Sequence, residues 1–302
     1  MLGIVGPTAA GKSALAMRLA TSVPAEIVNA DSRQVYRHMD IGTAKPSLEE
    51  REAVRHHLID IVGPDQEYSL ALFLQRATDA IRDIRKRGVL PILVGGTGQY
   101  VWALLEGWRV PRVPPDPGLR LSLEERARIS GPEALYAELT EKNPEAAARI
   151  DARNVRRVIR ALEVWHAAPD ARPETAQKPP YEARVIGLTM ERSALYGRID
   201  RRVDAMIEAG WVDEVLSLLD RGCGLGLPSM SGVGYGELVR HLNGELSLDE
   251  AVELIKNRTH RFARHQHAWF RPGDERIRWF DAETGLDDAE QEVGRWLETG
   301  RL

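Results

Sequence analysis

The chain has 302 residues, 43% of them hydrophobic and 28% charged, which excludes a chain too short or too polar to bury a core and fits a soluble globular protein with one large domain or a core plus a smaller unit. Its net charge of −4, from 41 Lys and Arg against 45 Asp and Glu, excludes a globally basic nucleic-acid binder, so any nucleic-acid contact must be a local basic patch. A single cysteine, Cys223, excludes an internal disulfide and suits a reducing cytoplasm, and no stretch approaches the ~20 consecutive apolar residues of a membrane span.

Apolar Leu2 to Val5 passes directly into a glycine loop, which predicts a short buried strand rather than a secretory signal. The loop is "GPTAAGKS", residues 6–13. Lys12 to Ala20 then places small and apolar residues at helical spacing, completing strand, loop and helix. "EIVNA", Glu26 to Ala30, predicts a second strand ending at Asp31. "YSLALFLQRATDAIRDIRKRG" predicts a capped helix. Ser69 can bond the first free amides, and Leu72, Phe73, Ala77, Ala80, Ile81 and Ile84 form the apolar face. Arg85, Lys86 and Arg87 lie in the last turn and Gly88 stops it. Val89 to Val94 predicts a strand with the glycine-rich exit "GGTGQY". Strands alternating with helices argue for a parallel α/β sheet.

The pattern changes at the proline-rich "VPRVPPDPG". From Leu119 to about His166 only helices are predicted, and a second breaker cluster, "AAPDARPETAQKPPYEA", closes the stretch. "RVIGLTM", Arg184 to Met190, predicts another strand, and helices follow at Ala194 to Ala209, Val212 to Leu219 and Leu248 to Trp269. The expected architecture is a P-loop NTPase-like parallel sheet flanked by helices, over residues 1–112 and 184–302, with an all-helical insertion domain at 113–183.

"GPTAAGKS" matches G-x-x-x-x-G-K-[ST], in which glycines turn backbone N–H groups towards phosphate oxygens and the following helix offers its positive end. Gly6, Pro7, Thr8, Ala9, Ala10 and Gly11 form the cradle, Lys12 supplies a point charge, and the Ser13 hydroxyl can join a magnesium shell. An ordinary P-loop ATPase also needs an acid at the end of a hydrophobic strand to hold Mg²⁺. Val94 is followed instead by Gly95, Gly96 and Thr97, and no acid appears before Glu106. The one acid at a strand end near the loop is Asp31. It could serve magnesium, act as a base or cap a helix; the "SRQVY" behind it favours a base beside a substrate.

"GPTAAGKS", "NADSRQVYRHMDIGTAKP", "HHLID", "LVGGTGQY", "RALEV" and "GVGYGE" occur in that order, and together they resemble the tRNA dimethylallyltransferase family over nearly the whole chain. The resemblance implies transfer of a dimethylallyl group from dimethylallyl diphosphate to N6 of the adenosine 3′ of the anticodon in tRNA. The loop would then hold a diphosphate leaving group, with Mg²⁺ as cofactor, which accounts for the missing strand-end acid. It further implies that Thr97 bonds a phosphate oxygen, although a turn hydroxyl serving local backbone is the plain alternative. Arg202 would bind diphosphate, with Arg198 one turn back on the same face. Asp31 would accept an N6 proton from an adenine flipped out of the anticodon loop. Ser32, Arg33 and Gln34 could read the base edge or its neighbours, Gln being suited to adenine.

The resemblance also implies tRNA contacts at Arg120, Arg156, Arg157 and Arg160, the last three at helical spacing with no acid between Arg153 and Leu162. "KNRTHRFARHQHAWFR", Lys256 to Arg271, has five Lys or Arg, three His and no acid, a pattern for a salt-sensitive phosphate grip with rings available for stacking. A metal site at these histidines is disfavoured, since no Cys accompanies them. Two departures stand out. Ser231 and Gly236 replace basic residues usual in the family around "GVGYGE", which puts that tRNA contact in doubt, and the absence of a C-terminal Cys/His finger implies the bacterial type. The chain is expected to be a cytoplasmic monomer. The rival readings are a P-loop small-molecule kinase, which would use ATP, a nucleic-acid-stimulated NTPase, which needs the missing acid, and a prenyltransferase acting on free adenine nucleotides. The last would need neither the insertion nor the basic C-terminal helix.

Overall fold

A computed structural model describes residues 1–111, 113–114, 116–169 and 181–299. The chain runs β1 (Leu2–Val5), α1 (Lys12–Ser22), β2 (Ala25–Asn29), α2 (Leu48–Ala53), the two-residue β3 (His56–His57), α3 (Leu70–Lys86), β4 (Leu90–Val94) and α4 (Gly98–Leu105). Four helices follow: α5 (Pro117–Ser130), α6 (Pro132–Lys142), α7 (Pro144–Ala147) and α8 (Val155–Ala167). The remainder is β5 (Arg184–Thr189), α9 (Arg192–Glu208), α10 (Trp211–Asp220), α11 (Tyr235–Leu242), α12 (Leu248–Trp269), β6 (Ile277–Asp281) and α13 (Leu286–Glu298).

Among the described residues the strands form one parallel sheet in the order β3-β2-β4-β1-β5-β6. Such a sheet is covered on both faces, so its central strands read as unbroken apolar runs; every residue of β1 and β4 is buried. Alternation divides them between two cores. Leu2, Ile4, Ile92, Ile186 and Leu188 pack on one face with α1 and α9. Val5, Leu93, Val185 and Ile277 pack on the other with Phe73, Ala77 and Ile81 of α3. Pro91 has no N–H to donate, and it lies one residue before β1 pairing begins at Ile92. Beyond Trp269, where no element is predicted, "IRWFD" adds β6 as the edge strand beside β5. It lacks the apolar run of a central strand because an edge strand is covered less completely.

The predicted α3 forms as expected. Ser69 accepts from the Leu72 amide, and Gly88 follows the helix with φ 71°. Chain contacts separate two compact units, one comprising Met1–Trp108 and Gln177–Leu302, the other Arg109–Ala176. The smaller unit holds α5 to α8 around its own core of Leu123, Leu135, Leu139, Val158, Ile159 and Leu162. Of the second breaker cluster, residues 170–180 lie outside the described residues, as do Arg112 and Pro115 of the first.

Parallel strands all present their carboxyl ends to one edge of the sheet, where ligands of open α/β sheets bind. Here that edge carries the loop after Val5, the Asn29–Ser32 segment, the Gly95–Thr97 turn and Met190.

Candidate active site

The phosphate loop leaves β1 through Gly6, at φ 140°. A Cβ there would collide with the Leu188 carbonyl oxygen, so only glycine passes. Gly11 enters α1 at φ 86°, and Ala9 holds φ 63°, a left-handed conformation costly for a residue with a Cβ. The amides of Gly11, Lys12 and Ser13 have no hydrogen-bond partner among the described residues, as expected at a helix start that can take an anion.

Three cations converge on this loop. Lys12 Nζ donates to the Pro7 carbonyl at 2.7 Å. Arg202 Nη1 approaches the Thr8 hydroxyl oxygen at 3.5 Å, and Arg198 Nη1 lies 3.9 Å from where a Gly11 Cβ would sit. Burial, with the neighbouring Arg202, pulls the Lys12 ammonium down to about 8 against the opposing effect of Asp31. Burial also lowers Arg202, again against Asp31. Desolvated like charges at a helix N-terminus are an arrangement that a multiply charged anion relieves.

Asp31 stands just past β2. Its Oδ1 accepts from the Arg33 amide at 2.7 Å, and its own amide donates to Asn29 Oδ1 at 3.2 Å. Oδ2 accepts no hydrogen bond among the described residues. Thr97, at the start of α4, ties this segment to the turn after β4. Its Oγ1 accepts from the Ser32 amide at 3.1 Å, and its amide donates to the Ala30 carbonyl at 3.3 Å. Gly95 is a glycine because a Cβ would strike the same Ala30 carbonyl. The Thr97 hydroxyl makes no cap bond to its own helix; its backbone partner is the Ser32 amide, 65 residues away in sequence, and towards it the hydroxyl is an acceptor. Its hydroxyl hydrogen reaches only a long 3.5 Å contact with Ser32 Oγ, so a stronger acceptor could take it.

The other residues of "DSRQ" have their polar groups engaged within the fold. Arg33 Nη1 donates to the Pro228 carbonyl at 2.6 Å, and Gln34 Nε2 donates to the carbonyls of Thr43 and Ala44 at 3.1 and 3.0 Å. The donor half of the Gln34 amide therefore closes the "MDIGTAKP" loop. Tyr68, Phe73 and Tyr100 form an aromatic cluster. Phe73 and Tyr100 stack with centroids 4.2 Å apart, and Tyr68 meets Tyr100 edge-on. Burial pushes the Tyr68 phenol up to about 12, and its hydroxyl is buried without a partner.

Gln266 of α12 carries no signal in the loop motifs. Its Oε1 accepts from the Thr8 amide at 2.7 Å, and its Nε2 donates to the Gly96 carbonyl at 3.0 Å. One 5%-exposed carboxamide thus joins the phosphate loop to the turn bearing Thr97, and the Thr8 amide is taken. Gly96 has no side chain because Gln266 fills that place. The available signal is helical spacing, since Gln266 shares the buried side of α12 with Ala263.

In the smaller unit, Arg120 and Arg160 both face Glu163, which is 2% exposed. Arg120 pairs with it at 3.1 Å, Arg160 at 3.5 Å, and Arg160 also donates to the Val113 carbonyl at 2.6 Å. Arg156 and Arg157 are exposed, with no ion pair among the described residues. Acids from other elements meet part of the basic run of α12. Lys256 pairs with Asp204 at 2.8 Å, His260 with Asp200 at 2.8 Å, and Arg258 with Glu237. Ser231 Oγ donates to the Pro228 carbonyl at 2.6 Å, and Gly236 lies in the first turn of α11. No group of three His, Cys, Asp or Glu able to hold a metal occurs among the described residues.

The sequence profile described as IPP transferase matches residues 34–273, and one described as isopentenyl transferase matches residues 1–62. A tRNA dimethylallyltransferase of Roseiflexus castenholzii is 56% identical over 273 residues, covering 90% of this chain and 89% of that one. One from Thermomicrobium roseum is 51% identical over 283 residues, covering 93% and 86%. Among solved structures, the tRNA isopentenylpyrophosphate transferase of Bacillus halodurans superposes with a TM-score of 0.73 at 41% identity, covering 99% of this chain and 95% of that one. A eukaryotic dimethylallyltransferase acting on tRNA superposes with a TM-score of 0.81 at 26% identity, covering 100% and 80%.

Proposed function

The chain belongs to the IPP transferase family, and from that premise we propose that it transfers the dimethylallyl group of dimethylallyl diphosphate to N6 of the adenosine 3′ of the anticodon in tRNA, releasing diphosphate. The observation that carries this reading is the company kept by the phosphate loop. Lys12, Arg198 and Arg202 converge on it, while β4 exits into Gly95–Gly96–Thr97 in place of an acid.

In this reading the diphosphate occupies the loop, held by the free amides at the start of α1 and by Lys12 and Arg202. The C–O bond to the allylic carbon breaks, the electron pair leaves with the diphosphate, and those donors stabilise the charge that develops. Thr97 turns its hydroxyl hydrogen onto a phosphate oxygen. N6 of the adenine attacks the allylic carbon, and Asp31 takes the N6 proton as the C–N bond forms. The adenine lone pair is delocalised into the ring, so a carboxylate on one N6 hydrogen both orients and activates it. Ser13 is exposed and its hydroxyl has no partner among the described residues. That fits Mg²⁺, which is often held by one or two protein oxygens plus substrate phosphates and waters. Bound there, it would neutralise charge on the leaving diphosphate. A monomeric, cytoplasmic enzyme completes the reading; no helix among the described residues is long and apolar enough to cross a membrane.

The test offers unmodified tRNA and labelled dimethylallyl diphosphate, with ATP and free AMP in parallel. Label should pass to tRNA alone. Transfer to AMP but not tRNA, or turnover only with ATP, would overturn the reading.

A further inference from the structure

β1 and β4 run side by side as far as Ile4 and Val94. A long 3.4 Å bond from the Gly95 amide to the Ile4 carbonyl is the last between them among the described residues. Past that point the two segments diverge, one into the phosphate loop and the other into the turn bearing Thr97. The Thr8 amide and the Gly96 carbonyl have no backbone partner among the described residues. Both are satisfied by the carboxamide of Gln266, which accepts from Thr8 at 2.7 Å and donates to Gly96 at 3.0 Å. One planar group that accepts at one end and donates at the other does here what a peptide unit of a further strand would do.

Gln266 is itself firmly held. It is buried, as are Ala263 and Phe270 on either side of it in sequence. Trp102 Nε1 of α4 donates to the Trp269 carbonyl at 2.8 Å, and the Trp269 ring fills the place of a side chain at Gly98. The last turn of α12 is thus fastened to α4, the helix that Thr97 caps. What the carboxamide joins bears on the chemistry. The Thr8 hydroxyl oxygen lies 3.5 Å from Arg202 Nη1, and Thr97 follows Gly96 directly. We propose that Gln266 is a positioning residue for the transfer reaction. Acting through these two backbone groups, it sets the Thr97 hydroxyl against the phosphate loop at the spacing that cleavage of the allylic C–O bond requires. A displacement of about 1 Å in such a group costs roughly 10²-fold in rate. The proposal rests on the dimethylallyl-transfer reading above.

The test is a double-mutant cycle on Gln266→Met and Thr97→Val, read as the single-turnover rate at saturating tRNA and dimethylallyl diphosphate. Met keeps the length of the side chain and removes both bonds. Gln266→Met should lower the rate by roughly 10–10²-fold, with tRNA affinity and its salt slope unchanged within about twofold. In the Thr97→Val background the same change should cost less than about threefold, because the hydroxyl it positions is gone. Gln266→Glu keeps an acceptor for Thr8 and removes the donor to Gly96, and it should show the same loss and the same dependence on Thr97. It carries the comparison if Gln266→Met does not fold. An unchanged rate in the folded variants would overturn the proposal. So would losses that multiply in the double variant, and so would weakened tRNA binding as the main effect. If neither variant folds, Gln266 is a structural residue and the proposal falls. Wild-type transfer is measured alongside. If wild type fails to modify tRNA, the function itself falls; if it succeeds and the cycle is additive, the positioning role alone falls.

Discussion

Lys12 is held between opposing influences. Burial and Arg202 favour its neutral form, Asp31 its charged form, and the balance leaves it near 8. A lysine lowered in this way loses its charge as pH rises through that value. In the free enzyme, kcat/KM for dimethylallyl diphosphate should therefore fall above pH of about 8. In the complex the diphosphate charge raises the lysine again, so kcat should hold to higher pH. Parallel pH profiles check both statements, and a kcat/KM that remains flat well into the alkaline range would contradict them. Asp31 allows a cleaner substitution. Asn at this position keeps an oxygen for the Arg33 amide, so the turn survives while the base is lost. Asp31→Asn should cut single-turnover rate by roughly 10²–10⁴-fold and leave diphosphate affinity within a few-fold. Equal losses in rate and affinity would make Asp31 a structural residue or a metal ligand.

At the scale of elements, the segment from Asp31 to Pro46 is recognisable in the sequence, but the reason for its residues is not. His38 and Ala44 take positive φ of 65° and 48°. What holds such a loop is Glu214 of α10. Its carboxylate accepts from the amides of Asp40, Ile41 and Gly42 at 2.6, 2.6 and 3.1 Å and from the Tyr235 hydroxyl at 2.9 Å. Gly42 is a glycine because Trp211 occupies the place of a side chain. Lys45, its side chain 1% exposed, ties Asp40 to Asp60 beneath. These partners lie as far as 174 residues away, so no local pattern could name them. The bridging role of Gln266 carries no local signal for the same reason, its partners Thr8 and Gly96 lying 258 and 170 residues away. By contrast Gly11, Ser69 and Gly88 answer to local backbone needs and are legible, whereas Gly6 is legible through the loop motif although its close contact is with Leu188, far along the chain. Glu214→Ala would leave three consecutive amides without an acceptor, a loss of about 2–4 kcal/mol. Faster hydrogen exchange at Asp40, Ile41 and Gly42, with a lower unfolding temperature, is the expected outcome. Unchanged exchange at these amides would mean that the loop holds without the carboxylate.

For the whole molecule, a net charge of −4 forces any RNA grip to be local, and sequence alone overstates which charges are free to form it. "ARNVRRVIRAL" reads as an acid-free basic face, yet Glu163 follows directly and lies one turn from Arg160, which it holds together with Arg120. Arg156 and Arg157 make no ion pair with that carboxylate among the described residues and are exposed. The helix therefore contains two kinds of arginine that the sequence presents as one, and a pair of substitutions separates them. Arg157→Ala should weaken tRNA binding uniformly and lower the salt slope by about 1, with little change in thermal stability. Arg160→Ala removes its bonds to Val113 and to a carboxylate that is almost fully buried, so its main effect should be on stability, by about 1–3 kcal/mol. Thermal unfolding and salt-dependent tRNA binding on both variants decide the matter. If Arg160→Ala alone changes the slope while Arg157→Ala leaves it intact, the exposed face of α8 is not the RNA-facing one, and the buried pair must open when tRNA binds.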